Sequence, residues 1–230
     1  MVIRMTGTQK SNISPSVQKH VVVLSHPDAE SFNMAVAQAY CETVRGFGHQ
    51  AVLRDLYRMG FDPVLKAGER PTARDFALSP DVAAELEVID GAHVFVLVYP
   101  IWFGTPPAMM KGYVERVLGA GFSLQSVRTH ALSPLLGGKQ LLSFTSSGAP
   151  KQWLTDQDAL MSLQTVFDGY LARAFSMVSP DHVHFDSVAD DIAAHDVAEK
   201  LDQAKARARQ MCHDIEAELI KRRGRASARA

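Results

Sequence analysis

The chain has 230 residues, 47% hydrophobic and 21% charged, which is enough apolar material for one sizeable core and too much for a disordered chain. A net charge of −1 and a pI near 6.8 exclude the basic balance by which a body of this size would hold nucleic acid or an anionic membrane. No apolar run reaches the roughly 20 residues of a membrane span. The two cysteines, Cys41 and Cys212, stand at a spacing that predicts neither a disulfide framework nor a cysteine metal site.

Residues 1–18 are polar and mixed, without the apolar stretch of a secretory signal, and read as a flexible N-terminal arm on a cytoplasmic protein. The body is expected over 19–221. Val21 to Leu24 is a β-branched, uncharged run, the pattern of a strand buried on both faces. A polar loop, His26-Pro27-Asp28-Ala29-Glu30, follows it. A helix then starts near Ser31 or Asn33, with Phe32, Val36, Ala39, Tyr40, Thr43 and Val44 at helical spacing. Gly46 to Gln50 reads as a stop and turn, and Ala51 to Leu56 as a second strand. Strand, helix and strand in so short a stretch predict a right-handed βαβ unit.

Residues 57–80, interrupted by Pro63, Gly68, Pro71 and Pro80, form an irregular excursion long enough to imply a functional or subunit-contact role. A helix is predicted from Pro80 to Ile89, a buried strand from His93 to Tyr99, and a helix from about Ala108 to Leu118. Lys139 to Thr145 is a fourth strand. A helix over 160–175 follows, with Leu160, Leu163, Val166, Phe167, Tyr170, Leu171 and Phe175 on its buried side. Met177-Val178 and His182 to Phe185 suggest the fifth strand. His182 and His184 alternate on one face of it, more as surface decoration than as metal ligands, and no metal is expected. Asp190 to Lys221 is a final helix with Val197, Leu201, Ala204, Ala208, Met211, Ile215 and Leu219 on one face. The basic tail, 222–230, reads as a solvated helix end favoured by the macrodipole. This alternation predicts an α/β, doubly wound, five-stranded parallel sheet with helices on both faces.

In such a sheet ligands bind outside the carboxyl ends of the strands, and three loops here follow strands directly. The first, 25–33, offers His26, Ser31 and Asn33 beside a helix N-terminus, a natural anion site. The second, 99–107, offers a proline-bracketed aromatic pair, Trp102 and Phe103, with Gly104 permitting close backbone approach. The third, 145–150, is small and polar, able to bond carbonyls and ring nitrogens. Together they suit a flat redox-active isoalloxazine with a phosphate tail. Neither a Gly-x-Gly-x-x-Gly after the first strand nor a phosphate-binding Gly-Lys-Ser/Thr loop is present.

The segments Ser25-His26-Pro27 with Ser31-Phe32-Asn33, Asp55-Leu56-Tyr57 with Phe61-Asp62-Pro63, and Lys111-Gly112-Tyr113 with Glu115-Arg116-Val117 occur in order. Together they resemble the NAD(P)H:quinone oxidoreductase family of flavodoxin-like proteins over about residues 20–185. The resemblance implies a non-covalent flavin, FAD in preference to FMN, reduced by NAD(P)H and reoxidised by a quinone in ping-pong turnover. By that likeness His26, Ser31, Phe32 and Asn33 hold the flavin phosphates. Pro100, Ile101, Trp102, Phe103 and Gly104 line the ring, and Thr145, Ser147 and Gly148 bond its edge. It also implies a homodimer, with the 57–80 excursion, Phe122, Tyr170 and Phe175 as contact candidates.

The chain departs from the best-studied animal branch where a Tyr and, six residues on, a His follow the third loop. Here those positions are Trp153 and Ala159. Trp153 is a candidate to stack on or gate the acceptor, and Lys151 a candidate to stabilise negative charge on the reduced ring. Azo- or nitro-compound reduction would use the same site. The other classes are a flavin-binding regulatory subunit of a potassium-efflux system and a flavodoxin-type electron carrier. Against the carrier stand the length and the lack of strong acidity.

Overall fold

The computed structural model describes residues 17–178 and 180–227. The expected arm lies almost wholly outside these residues, as do positions 228–230 of the tail. Five strands, β1 (Lys19–Leu24), β2 (Gln50–Asp55), β3 (Val94–Pro100), β4 (Gln140–Ser146) and β5 (Asp181–Phe185), form one sheet in the order β2-β1-β3-β4-β5. Every neighbouring pair is parallel. The register aligns Leu24 with Asp55 and Val98, Pro100 with Ser146, and Ser146 with Phe185. The carboxyl ends of all five strands, and the loops that leave them, therefore share one edge. Strand order reverses between β1 and β3, where a crevice must open.

Each central strand is apolar on both faces because helices cover both. Val21, Val23, Phe95, Leu97, Tyr99 and Leu141 pack on one side with α2 (Pro80–Ile89), α3 (Ala108–Tyr113) and α7 (Gly169–Ala174). Their alternates Val22, Leu24, Val94, Val96, Val98, Leu142 and Phe144 pack on the other side. There they meet α1 (Phe32–Gly46) and α8 (Ala194–Ser227). Among the described residues no helix is long and apolar enough to cross a membrane.

Several expectations change. Two six-residue helices are new: α4 (Leu124–Thr129) and α5 (Lys151–Asp156). Met177 and Val178 precede β5 and are not part of it. The helix expected over 160–175 is α6 (Ala159–Leu163) joined to α7 by a π-helical turn, Gln164–Asp168. Leu163, Phe167, Leu171 and Phe175 form the buried stripe, while Val166 and Tyr170 face outward at 68% and 59% exposure. The fourfold spacing of the stripe carries one face inward and leaves the neighbouring face to solvent. Phe122 packs edge-on against Phe175 in the core. Phe175 is therefore buried away from any contact surface, Phe122 is partly buried, and Tyr170 is the most exposed of the three.

The 57–80 excursion is held down by one buried side chain. Arg116, in the π-helical turn Val114–Leu118 that continues α3, bonds Glu69 through Nε at 2.9 Å and Nη2 at 2.5 Å. It also bonds Asp81 at 2.7 and 3.1 Å and the Asp62 carbonyl at 2.6 Å. Gly112 lets α3 press on the excursion, since a Cβ there would lie 2.3 Å from the Pro63 carbonyl oxygen.

Candidate functional site

A cleft of about 510 Å³ opens at the predicted crevice. The first loop and the head of α1 supply His26, Asp28, Glu30, Ser31, Phe32 and Asn33. The segment after β3 supplies Pro100, Ile101 and Trp102, and the end of β4 supplies Ser146, Ser147 and Gly148. The three loops singled out from sequence are thus brought to one cavity. A smaller hollow of about 290 Å³ lies at the opposite sheet edge, around His93, Gly138 and Lys139. No loop from a strand's carboxyl end reaches it.

The first loop is shaped by local hydrogen bonds. Ser31 caps α1, its Oγ accepting the Met34 N–H at 3.2 Å, while its carbonyl takes the Ala35 N–H. Phe32 and Asn33 begin the helix, so their N–H groups head its positive end. Asp28 accepts from the Glu30 N–H at 2.9 Å. Nδ1 of His26 lies 3.1 Å from the Asp28 N and 3.3 Å from the Asp28 carbonyl oxygen, so the loop engages Nδ1 and leaves Nε2 outside these bonds. The His26 ring lies 5.8 Å from that of Trp102. Arg58, just past β2, donates to the Pro27 carbonyl, and Asp55 receives the Tyr57 and Arg58 N–H groups. Arg58, held by Asp55 just after the Asp-Leu-Tyr segment, thus braces the first loop.

Asn33 is buried and accepts from the Ser146 hydroxyl at 2.9 Å. This bond spans the sheet between α1 and β4, and holds the anion end of the cleft to its small, polar wall. Pro100 ends β3, and Ile101 N–H bonds the Ser146 carbonyl at 2.7 Å. Trp102 then pairs with Thr105 in a tight bridge that carries Phe103 and Gly104 in the left-handed region, at φ 51° and 77°. Phe103 is fully solvent-exposed there.

Five predicted residues stand elsewhere. Phe103 and Gly104 form the tip of the turn, outside the cleft lining. The Thr145 side chain is buried beneath the sheet edge: Oγ1 lies 2.8 Å from Nε2 of His182 and 2.9 Å from Nδ1 of His184. The pleat sends 145 to the face opposite its neighbours 144 and 146. Lys151 and Trp153, on α5, do not line the cleft either. The Lys151 backbone N–H bonds Asp186, and Trp153 is 57% exposed.

Thr145 belongs to a hydrogen-bonded chain of which the sequence carries no local sign. Asp168, placed by the π-helical turn, accepts from Ser143 at 2.7 Å and from Nδ1 of His182 at 2.5 Å. Thr145 links His182 to His184, and His184 Nε2 lies 3.1 Å from the Ser147 hydroxyl. The Nδ1 proton of His182 faces Asp168, and with His184 neutral Ser147 has either His184 or the Ala149 carbonyl as its acceptor. Burial, and then the neighbouring His182, lower the His184 pKa to about 4. The two histidines are therefore interior links, not surface decoration: parallel pairing sets them opposite Ser143 and Thr145.

The far wall was also missed. Val188, Ala189, Asp190 and Ile192, with Val197 from the first turn of α8, close the cleft. Their composition is that of any connector before a helix. Together with Asp28 and Glu30, Asp190 makes the rim acidic.

A profile of the family described as "Flavodoxin-like fold" matches residues 18–211. With the 2-1-3-4-5 strand order this gives the class: the chain belongs to the flavodoxin-like fold family. Within that class the likeness is to NAD(P)H:quinone oxidoreductases. The chain is 33% identical over 152 residues to the rat NAD(P)H dehydrogenase [quinone] 1, a match that takes in 58% of this chain and 55% of that protein. It thus spans about half the length of this relative. Among solved structures, the NAD(P)H:quinone oxidoreductase from Methanothermobacter marburgensis superposes with a TM-score of 0.70 at 21% identity. The superposition covers 85% of this chain and 96% of that one. An FMN-dependent NADH-azoreductase from Bacillus anthracis, in complex with FMN, gives a TM-score of 0.64 at 15% identity, covering 84% and 99%.

Proposed function

We propose that the chain is a flavin-dependent oxidoreductase that passes reducing equivalents from NAD(P)H to a quinone or similar acceptor. The observation that carries this reading is the convergence of three strand-end loops on one cleft, with a helix N-terminus at one end and Trp102 and Ser147 at the other. When bound, the flavin would supply the hydride chemistry, accepting from the nicotinamide and passing to the acceptor.

The residues present fit such a group. Phe32 and Asn33 offer backbone N–H groups to the phosphate, Ser31 offers its hydroxyl, and His26 adds its Nε2. Pro100, Ile101 and Trp102 make a rigid wall for the flat ring. Ser147 and Gly148 edge it, with Ser147 oriented from below by His184. Among the described residues no Lys or Arg lines the cleft with Asp28 and Glu30. They suit sugar hydroxyls beyond the phosphate and favour FAD over FMN.

Phe103, on its left-handed turn, and Trp153, on α5 after the third loop, are large exposed aromatics. A second copy of the chain covering them would complete the acceptor site as a homodimer. Lys151 then stands as the nearest cation in sequence to the third loop, and its replacement by Ala should slow reduction. An unchanged rate would remove it from the mechanism.

The test is the absorbance spectrum of the purified protein, followed by release and identification of any bound flavin. Flavin bleached by NADPH or NADH and restored by menadione supports the reading. Flavin that binds but is not reduced would move the protein to the regulatory or carrier class, and a chain that takes up neither FAD nor FMN would refute it.

A further inference from the structure

At the sheet edge remote from the cleft, three potential ligands that are far apart in the sequence come together. His20 is the second residue of β1, His49 immediately precedes β2, and Cys212 lies in α8. All three are buried, at 0%, 7% and 0% exposure. One donor atom from each, the two imidazole nitrogens and Sγ, fall within 4.8 Å of one another.

The orientation of the rings is more telling than their proximity. Nε2 of His20 and Nδ1 of His49 face each other at 3.2 Å. A tetrahedral zinc ion with Zn–N bonds of about 2.0–2.1 Å sets its nitrogen ligands about 3.3 Å apart. The nitrogens that face away are both engaged. Nδ1 of His20 lies 2.8 Å from the Tyr40 hydroxyl. Nε2 of His49 lies 3.6 Å from a carboxylate oxygen of Glu216, one helical turn beyond Cys212. With Tyr40 and Glu216 set behind the rings, each outward nitrogen has a polar group able to accept its proton when the inward nitrogen binds metal, and a histidine backed by a carboxylate is a usual arrangement around zinc.

We propose that His20, His49 and Cys212 form a structural binding site for zinc, with Tyr40 and Glu216 orienting the two imidazoles. Ligation converts the Cys212 thiol to thiolate and releases its proton to solvent, leaving one coordination position for water. Burial holds the metal-free thiol up at about 11 and His20 down at about 3. Without the ion, then, Cys212 is a neutral thiol beside the neutral ring of His20. The ion would tie α8 to β1 and to the entry of β2. Because α8 begins at the cleft wall with Val197, zinc would fix the helix at the end opposite the ligand. The proposal departs from the expectation drawn from cysteine spacing alone.

The test uses the full chain, free of any histidine tag, saturated with zinc and then dialysed, with metal content read by mass spectrometry. About one zinc per chain is expected. At least a fivefold lower content is expected for Cys212→Ser, with circular dichroism showing the variant folded. Glu216→Gln, at a partly exposed position that leaves all three ligands in place, should weaken zinc affinity about 10- to 100-fold. Cobalt in place of zinc should give a thiolate charge-transfer band that Cys212→Ser lacks. A wild-type chain that retains no zinc would show a hydrogen-bonded histidine pair and nothing more. Zinc retained undiminished by folded Cys212→Ser, or unchanged affinity in Glu216→Gln, would equally overturn the site. None of these readouts depends on flavin.

Discussion

Replacing Arg116 with Met should destabilise the protein by about 3 kcal/mol while leaving the ligand cleft untouched. The guanidinium is 98% buried and makes four bonds to the carboxylates of Glu69 and Asp81 and one to the Asp62 carbonyl. It also sits 5.1 Å from the centre of the Phe61 ring. Breaking a buried ion pair by removing one partner costs about 3–5 kcal/mol, because the other charge stays buried. The lower end applies here, since Glu69 keeps the Lys66 N–H and the Ser79 hydroxyl, and Asp81 is half exposed. In a chain of this size that corresponds to a fall of about 6–12 °C in Tm.

Urea unfolding followed by circular dichroism reads the change as a lower midpoint at constant slope. The double variant Arg116→Met with Glu69→Gln should recover part of the loss, since no charge is then stranded. The loss should also shrink in acid. Arg116 holds the Glu69 carboxyl down at about 2, so its contribution is present above about pH 4.5 and disappears as pH falls through 2. A cost below about 1 kcal/mol for Arg116→Met, or a double variant worse than the single, would refute the claim that this knot secures the excursion.

Gly112→Ala should destabilise by about 1–3 kcal/mol, although alanine is the better helix former, because its Cβ would overlap the Pro63 backbone; a stabilised variant would refute the close approach. Ser31→Ala removes the α1 cap and should cost about 1 kcal/mol, together with weaker flavin binding measured by titration of the flavin-free protein. In the described fold His184 is neutral down to about pH 4 against 6.5 for the free side chain. The unfolded chain therefore takes up its proton first, and stability falls between pH 6.5 and 4. With allowance for partial solvent access the loss is about 1–2 kcal/mol. His184→Gln should flatten urea midpoints over that range, and an unchanged pH profile would refute the assignment.

Much of the architecture was legible because it depends on local composition. The uncharged runs at Val21–Leu24 and Val94–Tyr99 could only be strands covered on both faces, and the Pro80–Ile89 helix announced itself by a proline in its first turn. The three cleft loops were visible for the same reason: each follows such a strand and carries residues unusual for a plain connector. Helices α4 and α5, six residues each, are too short to show a period. Which way residues 143 to 146 point was decided by the pleat and by pairing with β5. Thr145 thus joined the histidine chain while Ser146 and Ser147 reached the cleft. The inward turn of His182 and His184, the outward turn of Val166 and Tyr170, and the meeting of His20, His49 and Cys212 came from tertiary packing alone. Local sequence sets what a segment buries; only the closed sheet and its covering helices set which distant side chains it buries them against.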